Sequence, residues 1–149
     1  MKENVINGPN LYLKLVFEID RINKKESYYH IYLNDTNKYI GNCGIRLDEN
    51  EDNVYLGNIE YEIFNDYRGH YYSREACLLL SQVAYSHNLK SLIITANIKN
   101  KGSIKIIESL GAELLKVVKV PKSCKLYKQG DRKIRIYCWN IQNEKERIL

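Results

Sequence analysis

Along the first part of the chain, apolar and polar side chains alternate with the period of two that is typical of half-buried strands. Short polar turns divide this stretch into four segments rich in branched and aromatic residues. Successive strands joined by short links pair as an antiparallel meander. We therefore predict four strands over residues 11–19, 27–34, 38–47 and 55–64, with a short charged turn over 21–26 and an acidic loop over 48–53.

The period becomes helical after Ser73. The spacing of the apolar side chains predicts a helix over residues 74–88, with Ser73 as its N-cap. Glu75 in the first turn complements the helix dipole. The inner face of this helix is expected to consist of Ala76, Leu79, Leu80, Val83, Ala84 and His87, the last in a structural role.

Three further strands and a second helix follow. Residues 91–97 form a short apolar strand of the kind that is covered on both faces in a parallel pair. Residues 102–110 predict a second helix that ends at Gly111, and residues 114–120 and 133–141 predict two final strands. The order predicts an α/β fold with a mixed, mostly antiparallel seven-stranded sheet. Its one parallel junction lies between the strands on either side of the first helix.

Length and composition limit the class of protein. A chain of 149 residues with 44% hydrophobic and 28% charged side chains fits a single domain over residues 1–149. No apolar run approaches the roughly 20 residues of a membrane span, and the polar first residues differ from a signal peptide. The four cysteines are widely spaced without a nearby histidine, which favours reduced thiols over disulfides or zinc. We expect a cytoplasmic protein that contains no metal ion.

Charge is distributed unevenly along the chain. Residues 1–98 carry 10 basic and 13 acidic side chains, whereas residues 99–149 carry 13 basic and 5 acidic ones. This asymmetry suggests an anionic partner near the second part of the chain, although a solvated lysine-rich surface would have the same composition. Because the lysines are scattered rather than massed on one helix, we expect a phosphate-rich small molecule rather than nucleic acid.

The turn before the first helix indicates where an anion could bind. Arg68 and Gly69 lie where the fourth strand ends and the helix begins. Backbone N–H groups at a helix start point towards one spot and, with the positive end of the helix dipole, attract anions. The guanidinium of Arg68 adds a permanent positive charge suited to phosphate oxygens. An ordinary strand-to-helix connection would look the same in the sequence.

Two segments carry a resemblance to a known family. Arg68-Gly69-His70-Tyr71-Tyr72-Ser73 resembles the Q/R-x-x-G-x-G/A loop of the GNAT superfamily of N-acetyltransferases. Asn100-Lys101-Gly102-Ser103, followed by Glu108-Ser109-Leu110-Gly111-Ala112, is similar to the superfamily's N-x-x-S segment and the Leu-Gly pair after it. Residues 44–47 and 59–63 look like those of a group of small bacterial acetyltransferases.

The resemblance covers about residues 10–141 and implies an enzyme. It would move the acetyl group of acetyl-CoA, its cofactor, to a primary amine of a small molecule or peptide by direct attack. The alternative is a non-catalytic acyl-CoA-binding module of the same fold. Exposed strand edges are compatible with a homodimer. The coenzyme-binding residues that the resemblance implies are Ile63, Phe64, Arg68, Gly69, His70, Tyr71, Tyr72, Ser73, Asn97, Asn100 and Ser103.

The chain departs from the family pattern at three places. Tyr71 stands at the middle glycine of the loop and Ser73 at its last glycine or alanine, so the Tyr71 side chain must point away from a bound pyrophosphate. Ile107 stands where many relatives have a tyrosine that protonates the leaving thiolate. Most relatives insert two helices between the first two strands, where this chain has only a short turn. The acceptor side is therefore expected to be open.

Acetyl transfer to an amine needs a base that removes a proton from the ammonium group. Alternation along the fourth strand places Glu60 and Glu62 on one polar face, opposite Tyr61, which is expected to pack in the core. We take Glu60 as the first candidate for the base and Glu62 as the second. Both carboxylates are equally compatible with being only the solvated side of the strand. No local pattern supports a Cys–His acyl-enzyme route.

Overall fold

The computed structural model describes residues 4–48 and 53–142 of the chain. Five strands form an antiparallel sheet in chain order, and three more form a second antiparallel sheet in the order β6-β8-β7. The strands are β1 (Val5–Asn7), β2 (Leu11–Arg21), β3 (Lys24–Leu33), β4 (Tyr39–Arg46), β5 (Ile59–Ile63), β6 (Ser91–Asn97), β7 (Glu113–Lys119) and β8 (Lys133–Asn140). The helices are α1 (Asn53–Leu56), α2 (Tyr72–Ser86), α3 (Lys101–Ser109) and α4 (Lys125–Lys128), with a 3-10 turn at Asn65–Tyr67.

The predicted α/β architecture is confirmed, but the strands form two sheets instead of one sheet of seven. Among the described residues, hydrogen bonds to the backbone join β5 and β6 at one position only. The sequence had predicted a parallel ladder between these two strands. The Asn58 N–H donates to the Ile93 carbonyl oxygen (2.7 Å), and the Asn58 side-chain oxygen accepts the Ile93 N–H (2.7 Å). Because a side chain occupies the place of a backbone partner, the ladder stops there and the two strands are free to separate.

The expected absence of helices between the first two long strands is confirmed. A two-residue turn at Ile22 and Asn23 joins β2 to β3. Alternation along β2 buries Leu11 and Leu13 completely on the side that packs against α2. The opposite side of the five-stranded sheet, which we call the outer face, carries Tyr12 and Lys14 and is not covered by any described helix.

One hydrophobic core spans both sheets. It lies between the inner face of the five-stranded sheet, α2, α3 and the second sheet, and Trp139 of β8 is completely buried in it. Close packing of such branched and aromatic side chains fixes the positions of the strands and helices that reach the surface cleft described below. The fully buried core side chains with the largest volumes are Trp139, Tyr137, Leu11, Leu13, Ile31, Ile40, Ile45, Leu79, Leu80, Leu92, Ile94 and Ile107.

Two predictions about α2 were wrong. The helix begins at Tyr72, and its N-cap is Tyr71 rather than Ser73, because the left-handed backbone of Tyr71 (φ 60°, ψ 24°) ends the loop two residues earlier. His87 is exposed rather than on the inner face, since the helix ends at Ser86 and the periodicity stops with it. The His87 ring instead lies against the end of the helix, with Nδ1 2.9 Å from the Val83 carbonyl oxygen.

Three short elements were not predicted. Strand β1 extends the sheet beyond the expected first strand, and α4 lies in the polar loop that begins at Pro121. Residues 53–56 form α1 where a strand was expected from residue 55, and Gly57 (φ 78°) ends this helix in a conformation that favours glycine. Of the predicted acidic loop, residues 49–52 lie outside the described residues.

Glu75, in the first turn of α2, forms hydrogen bonds to the β1–β2 turn. Its Oε2 accepts the N–H groups of Asn10 and Leu11 (2.9 Å each), and its Oε1 accepts the Asn10 side-chain amide (2.8 Å). We expect Glu75→Ala to lower the free energy of unfolding by about 1–2 kcal/mol, because it leaves three donors without their charged acceptor. The urea midpoint measures this change. Glu75→Gln keeps one acceptor oxygen and should lose less; equal losses in both variants would contradict this role.

Candidate active site

A cleft of about 730 Å³ opens where β5 ends, between the loop that precedes α2 and the start of α3. It lies on the side where β5 and β6 have separated. The Arg-Gly loop and the Asn-x-x-Ser segment are distant in the sequence, and both line this cleft. Its lining consists of Tyr61, Glu62, Ile63, Tyr67, Arg68, Gly69, Tyr71, Tyr72, Ser73, Asn100, Gly102, Ser103, Lys105 and Ile106.

The loop presents a row of free backbone donors. Among the described residues, no acceptor is found for the backbone N–H groups of residues 69–73. The next two N–H groups, of Arg74 and Glu75, both donate to the Tyr71 carbonyl oxygen (3.1 and 3.3 Å) and so begin the helix. Five consecutive free donors at the positive end of a 15-residue helix form a strong electrostatic site for an anion.

Tyr71 keeps the backbone shape that a glycine would give the loop. Its φ of 60° lies in the left-handed region, which costs a residue with a side chain about 1 kcal/mol. The ring is half-exposed, and the Lys105 ammonium lies 5.7 Å from its centre. The Tyr71 side chain therefore packs towards α3 at the rim of the cleft while the loop keeps its donors free.

Arg68 fixes the loop to the end of β5. Its Nε donates to the Ile63 carbonyl oxygen at 2.8 Å, so one of the strand's last backbone acceptors is already used. Neither terminal guanidinium nitrogen has a hydrogen bond or an ion pair within residues 4–48 and 53–142. The side chain thus holds a positive charge at the mouth of the cleft with donors still available for an anion.

A pair of hydroxyl groups bridges the cleft between β5 and α3. The Tyr61 phenol oxygen lies 2.6 Å from the Ser103 Oγ, and either atom can be the donor. Burial raises the pKa of Tyr61 above its usual value, against a smaller opposing effect of the Ser103 hydrogen bond, so the phenol keeps its proton at neutral pH. Ser103 is held in place because its N–H donates to the side chain of Asn100, the N-cap of α3 (3.0 Å).

Sequence reasoning did not identify Tyr61 as a functional residue. The ring lies on the inner side of β5, as alternation predicts, but it is only partly buried and its hydroxyl reaches the cleft. Its position next to Glu62, near the end of the strand, was the feature of the sequence that could have indicated a role in the site. Ile107, at the position where relatives carry a tyrosine, is completely buried.

Three of the residues expected to bind coenzyme do not line the cleft. The Asn97 amide donates to Asp131 Oδ1 (2.6 Å) and its oxygen accepts the Lys99 N–H (2.9 Å), so both of its ends are occupied. Phe64 packs edge-on against Tyr39, 5.0 Å between ring centres. His70 lies against the Tyr72 ring at 5.3 Å. The other eight predicted coenzyme residues line the cleft.

The two candidate bases differ in their surroundings. Glu60 Oε1 forms an ion pair with Arg46 Nη2 at 2.7 Å, and the Arg46 side chain is only 6% exposed. Glu62 lies two residues further along β5, nearer the cleft. Its side chain is exposed and has no ion pair within the described residues. It lines both the cleft and a second cavity on the outer face of the sheet. Glu62 is therefore the carboxylate that is free to accept a proton.

Among the described residues, neither Cys43 nor Cys77 offers a reactive thiol. The buried Cys43 and Cys77 thiols have raised pKa values, about 12 for Cys77, because burial disfavours the thiolate. Such thiols are poor nucleophiles. Over the described ranges no group of three or more histidine, cysteine, aspartate or glutamate side chains could hold a metal ion. Nor does this part of the chain contain a helix long and apolar enough to cross a membrane.

Comparisons with known proteins agree with this geometry. Residues 12–113 match the family model of the acetyltransferase (GNAT) domain. The fold is similar to the acetyltransferase from Agrobacterium tumefaciens, with a TM-score of 0.67 and 16% identity over 94% of this chain and 96% of that one. It is also similar to the ribosomal-protein-S5-alanine acetyltransferase of Vibrio fischeri (TM-score 0.63, 18% identity, 79% of this chain and 63% of that one).

A third similar structure contains the coenzyme. The microcin C7 self-immunity acetyltransferase, solved in complex with acetyl-CoA and AMP, matches with a TM-score of 0.60 and 19% identity. The match covers 77% of this chain and 61% of that one. No protein of curated function matches the sequence significantly.

Proposed function

The chain belongs to the GNAT acetyltransferase family, whose members use acetyl-CoA, and we propose that it acetylates a primary amine of a small molecule or peptide. The observation that carries this proposal is the row of five N–H groups without an acceptor among the described residues, in the loop that resembles the family's coenzyme motif; four of these five residues line the cleft. Acetyl transfer in general follows from the family. The amine acceptor and the residue roles below are proposals.

The residues of the cleft fit a coenzyme of this kind. Pyrophosphate would lie on the N–H groups of residues 69–73, with the Arg68 guanidinium beside it. Lys105 adds a positive charge on the opposite wall. Among the lining residues the only carboxylate is Glu62, which lies near the end of β5. Bound acetyl-CoA supplies the acetyl group as a reactive thioester.

Glu62 is proposed as the base that receives the proton of the acceptor ammonium group. The amine nitrogen would then bond to the acetyl carbon while the carbon–sulfur bond breaks, and the second proton that the nitrogen loses would replace the one that the Tyr61–Ser103 hydroxyl pair gives to the departing thiolate. Glu60 is the weaker candidate, because its Oε1 is already engaged in an ion pair with Arg46 Nη2 at 2.7 Å. The proton that Glu62 accepts is released to solvent, to which this side chain is exposed.

The hydroxyl pair is proposed to supply the proton that the departing thiolate takes up. Tyr61 and Ser103 both line the cleft and are hydrogen-bonded to each other, so a proton given by one is replaced by the other. The Tyr61 phenol carries its proton at neutral pH; burial makes it a weaker acid, and the hydrogen bond to Ser103, which lowers its pKa, opposes that effect. This pair compensates for Ile107, which has no proton to give.

We expect Tyr61→Phe to lower kcat by about 10- to 100-fold, because it removes the hydroxyl that is hydrogen-bonded to Ser103. The KM for acetyl-CoA should change little, since the aromatic ring stays in place. Steady-state kinetics with Tyr67→Phe as the matched control tests this role, because Tyr67 lines the same cleft but does not contact Ser103. Equal kcat values for the two variants would exclude Tyr61 as a proton donor.

Two measurements test the proposed function itself. Calorimetric titration with acetyl-CoA should show micromolar binding, and release of free CoA thiol should report acetylation across a set of small primary amines and peptides. Binding without turnover on any amine would favour the alternative, a non-catalytic acyl-CoA-binding module. Absence of binding would overturn the proposal altogether.

A further inference from the structure

A second cavity of about 310 Å³ lies on the outer face, on the other side of β5 from the coenzyme cleft. The two cavities share Tyr61 and Glu62, so a ligand in one can reach a ligand in the other at the end of β5. We propose that this cavity binds the acceptor and that the acceptor is an arylalkylamine, a single primary ammonium group on a short chain that carries a flat aromatic ring. This inference rests on the proposed function.

One wall of the cavity is aromatic. Phe17 and Tyr28 stack with their ring centres 4.7 Å apart and 25° between their planes, and Phe17 is half-exposed. The β-bulge between Leu15 and Phe17 turns the Phe17 ring towards the cavity side of β2. A flat ring on the ligand can stack on this wall in the way that aromatic side chains stack on one another.

The aromatic wall is held in place by its contacts with the neighbouring strand and with Glu26. Tyr28 lies directly over Gly44 of the neighbouring strand, where an added Cβ would come within 2.7 Å of the Tyr28 ring. The Tyr28 hydroxyl donates to Glu26, which fixes the ring in this position. The wall is therefore held rigidly and can bind a ligand ring without first being ordered.

The charge of the cavity matches one ammonium group. Its lining contains two carboxylates and no lysine or arginine. The charge of Glu60 is balanced by Arg46, which leaves Glu62 as the single uncompensated negative charge. A monocation fits this balance, whereas a polyamine or an aminoglycoside would bring several positive charges with only one partner.

The size of the cavity agrees with the same class of ligand. A volume of about 310 Å³ lies at the lower end of the range of roughly 300–1,000 Å³ that is typical of small-molecule sites. With the ligand ring on Phe17, an ammonium group at Glu62 would lie at the end of β5, where the two cavities share Tyr61 and Glu62. The geometry therefore orients the reacting nitrogen as well as binding the ring.

The test uses tryptamine and phenethylamine as probes, with 2-cyclohexylethylamine and spermidine as controls. The cyclohexyl compound has the same chain and charge as phenethylamine but no flat ring. We expect kcat/KM to be about tenfold higher for phenethylamine than for the cyclohexyl amine, and spermidine to be the poorest acceptor. Equal kcat/KM values for the two ring compounds, or preference for spermidine or for a peptide, would overturn the proposal.

Phe17→Leu removes the exposed ring of the wall and should weaken tryptamine binding about tenfold. Tyr12→Leu is the matched control, because Tyr12 lies on the same outer face but does not line the cavity. Acetyl-CoA affinity should be unchanged in both variants. If acetyl-CoA binds normally but Phe17→Leu has no effect on tryptamine, the acceptor proposal fails while the proposed function stands. If acetyl-CoA does not bind, direct titration of the free protein with tryptamine still tests the cavity.

Discussion

Replacing Ser73 by glutamate should lower the affinity for acetyl-CoA about 100-fold and leave the fold intact. Ser73 is the second residue of α2 and lines the cleft, and its N–H is one of the five in this loop without an acceptor among the described residues. A carboxylate there would compete for these donors and repel the pyrophosphate. A like charge about 4 Å away costs about 4 kcal/mol near a protein surface, and about 2.7 kcal/mol is enough for a 100-fold loss.

This variant separates loss of binding from loss of folding. An acidic side chain at a helix start stabilises the helix by about 0.3–1 kcal/mol, so the melting temperature should stay the same or rise while binding is lost. Ser109→Glu, at the end of α3 and outside the cleft, is the charge-matched control and should bind acetyl-CoA normally. Titration calorimetry measures the affinity for acetyl-CoA, and thermal melting of the same samples measures the stability of the fold. Normal affinity in Ser73→Glu would show that the pyrophosphate does not lie on this loop.

Glu62→Gln should lower kcat/KM for the amine by about 100-fold or more, with little change in stability. The amide retains the shape of the side chain but cannot accept the proton of the ammonium group, and general-base catalysis is typically worth 10²–10⁴-fold. Glu62 is exposed and has no ion pair within the described residues, so the fold does not depend on it. Glu62 also lies in the proposed acceptor cavity, so the loss should appear in both kcat and KM.

Glu60→Gln should show the opposite pattern. This substitution removes the partner of Arg46, a guanidinium whose side chain is only 6% exposed, and should cost about 1 kcal/mol of stability. Its effect on kcat should be much smaller than that of Glu62→Gln. Steady-state kinetics and urea unfolding of the two variants measure these differences. A larger loss of activity in Glu60→Gln than in Glu62→Gln would contradict our choice of base.

Much of the fold follows from the periodicity of the sequence. Alternation and helical spacing predicted the long strands β2 to β5 and both long helices, because each has one face in the core. The elements that were missed, such as β1 and α4, are too short for a period to be visible. The division into two sheets was not predictable, because it depends on a single side chain, Asn58, replacing a backbone partner. Nothing in the local pattern distinguishes this asparagine from one in a turn.

The candidate site was predicted in outline, and its details depend on tertiary contacts. The two segments that line the cleft carry recognisable motifs, so their residues could be named in advance. Asn97 looked equally available, but Asp131 on a distant loop occupies its amide. The reverse holds for Tyr61, which alternation assigns to the inner face although its hydroxyl meets Ser103 across the cleft. Neither partner could be identified from neighbours along the chain.

The single junction at Asn58 has a consequence for the lifetime of the protein before it is degraded. Because β5 and β6 share backbone hydrogen bonds at one position among the described residues, the two sheets are held together largely by the core. A ligand that bridges β5 and α3 adds about 2.7 kcal/mol to the unfolding free energy at a concentration 100 times its Kd. Proteases remove chains from the unfolded population. The abundance of this protein would therefore follow the metabolic supply of its coenzyme, and the chain would be degraded faster in starved cells.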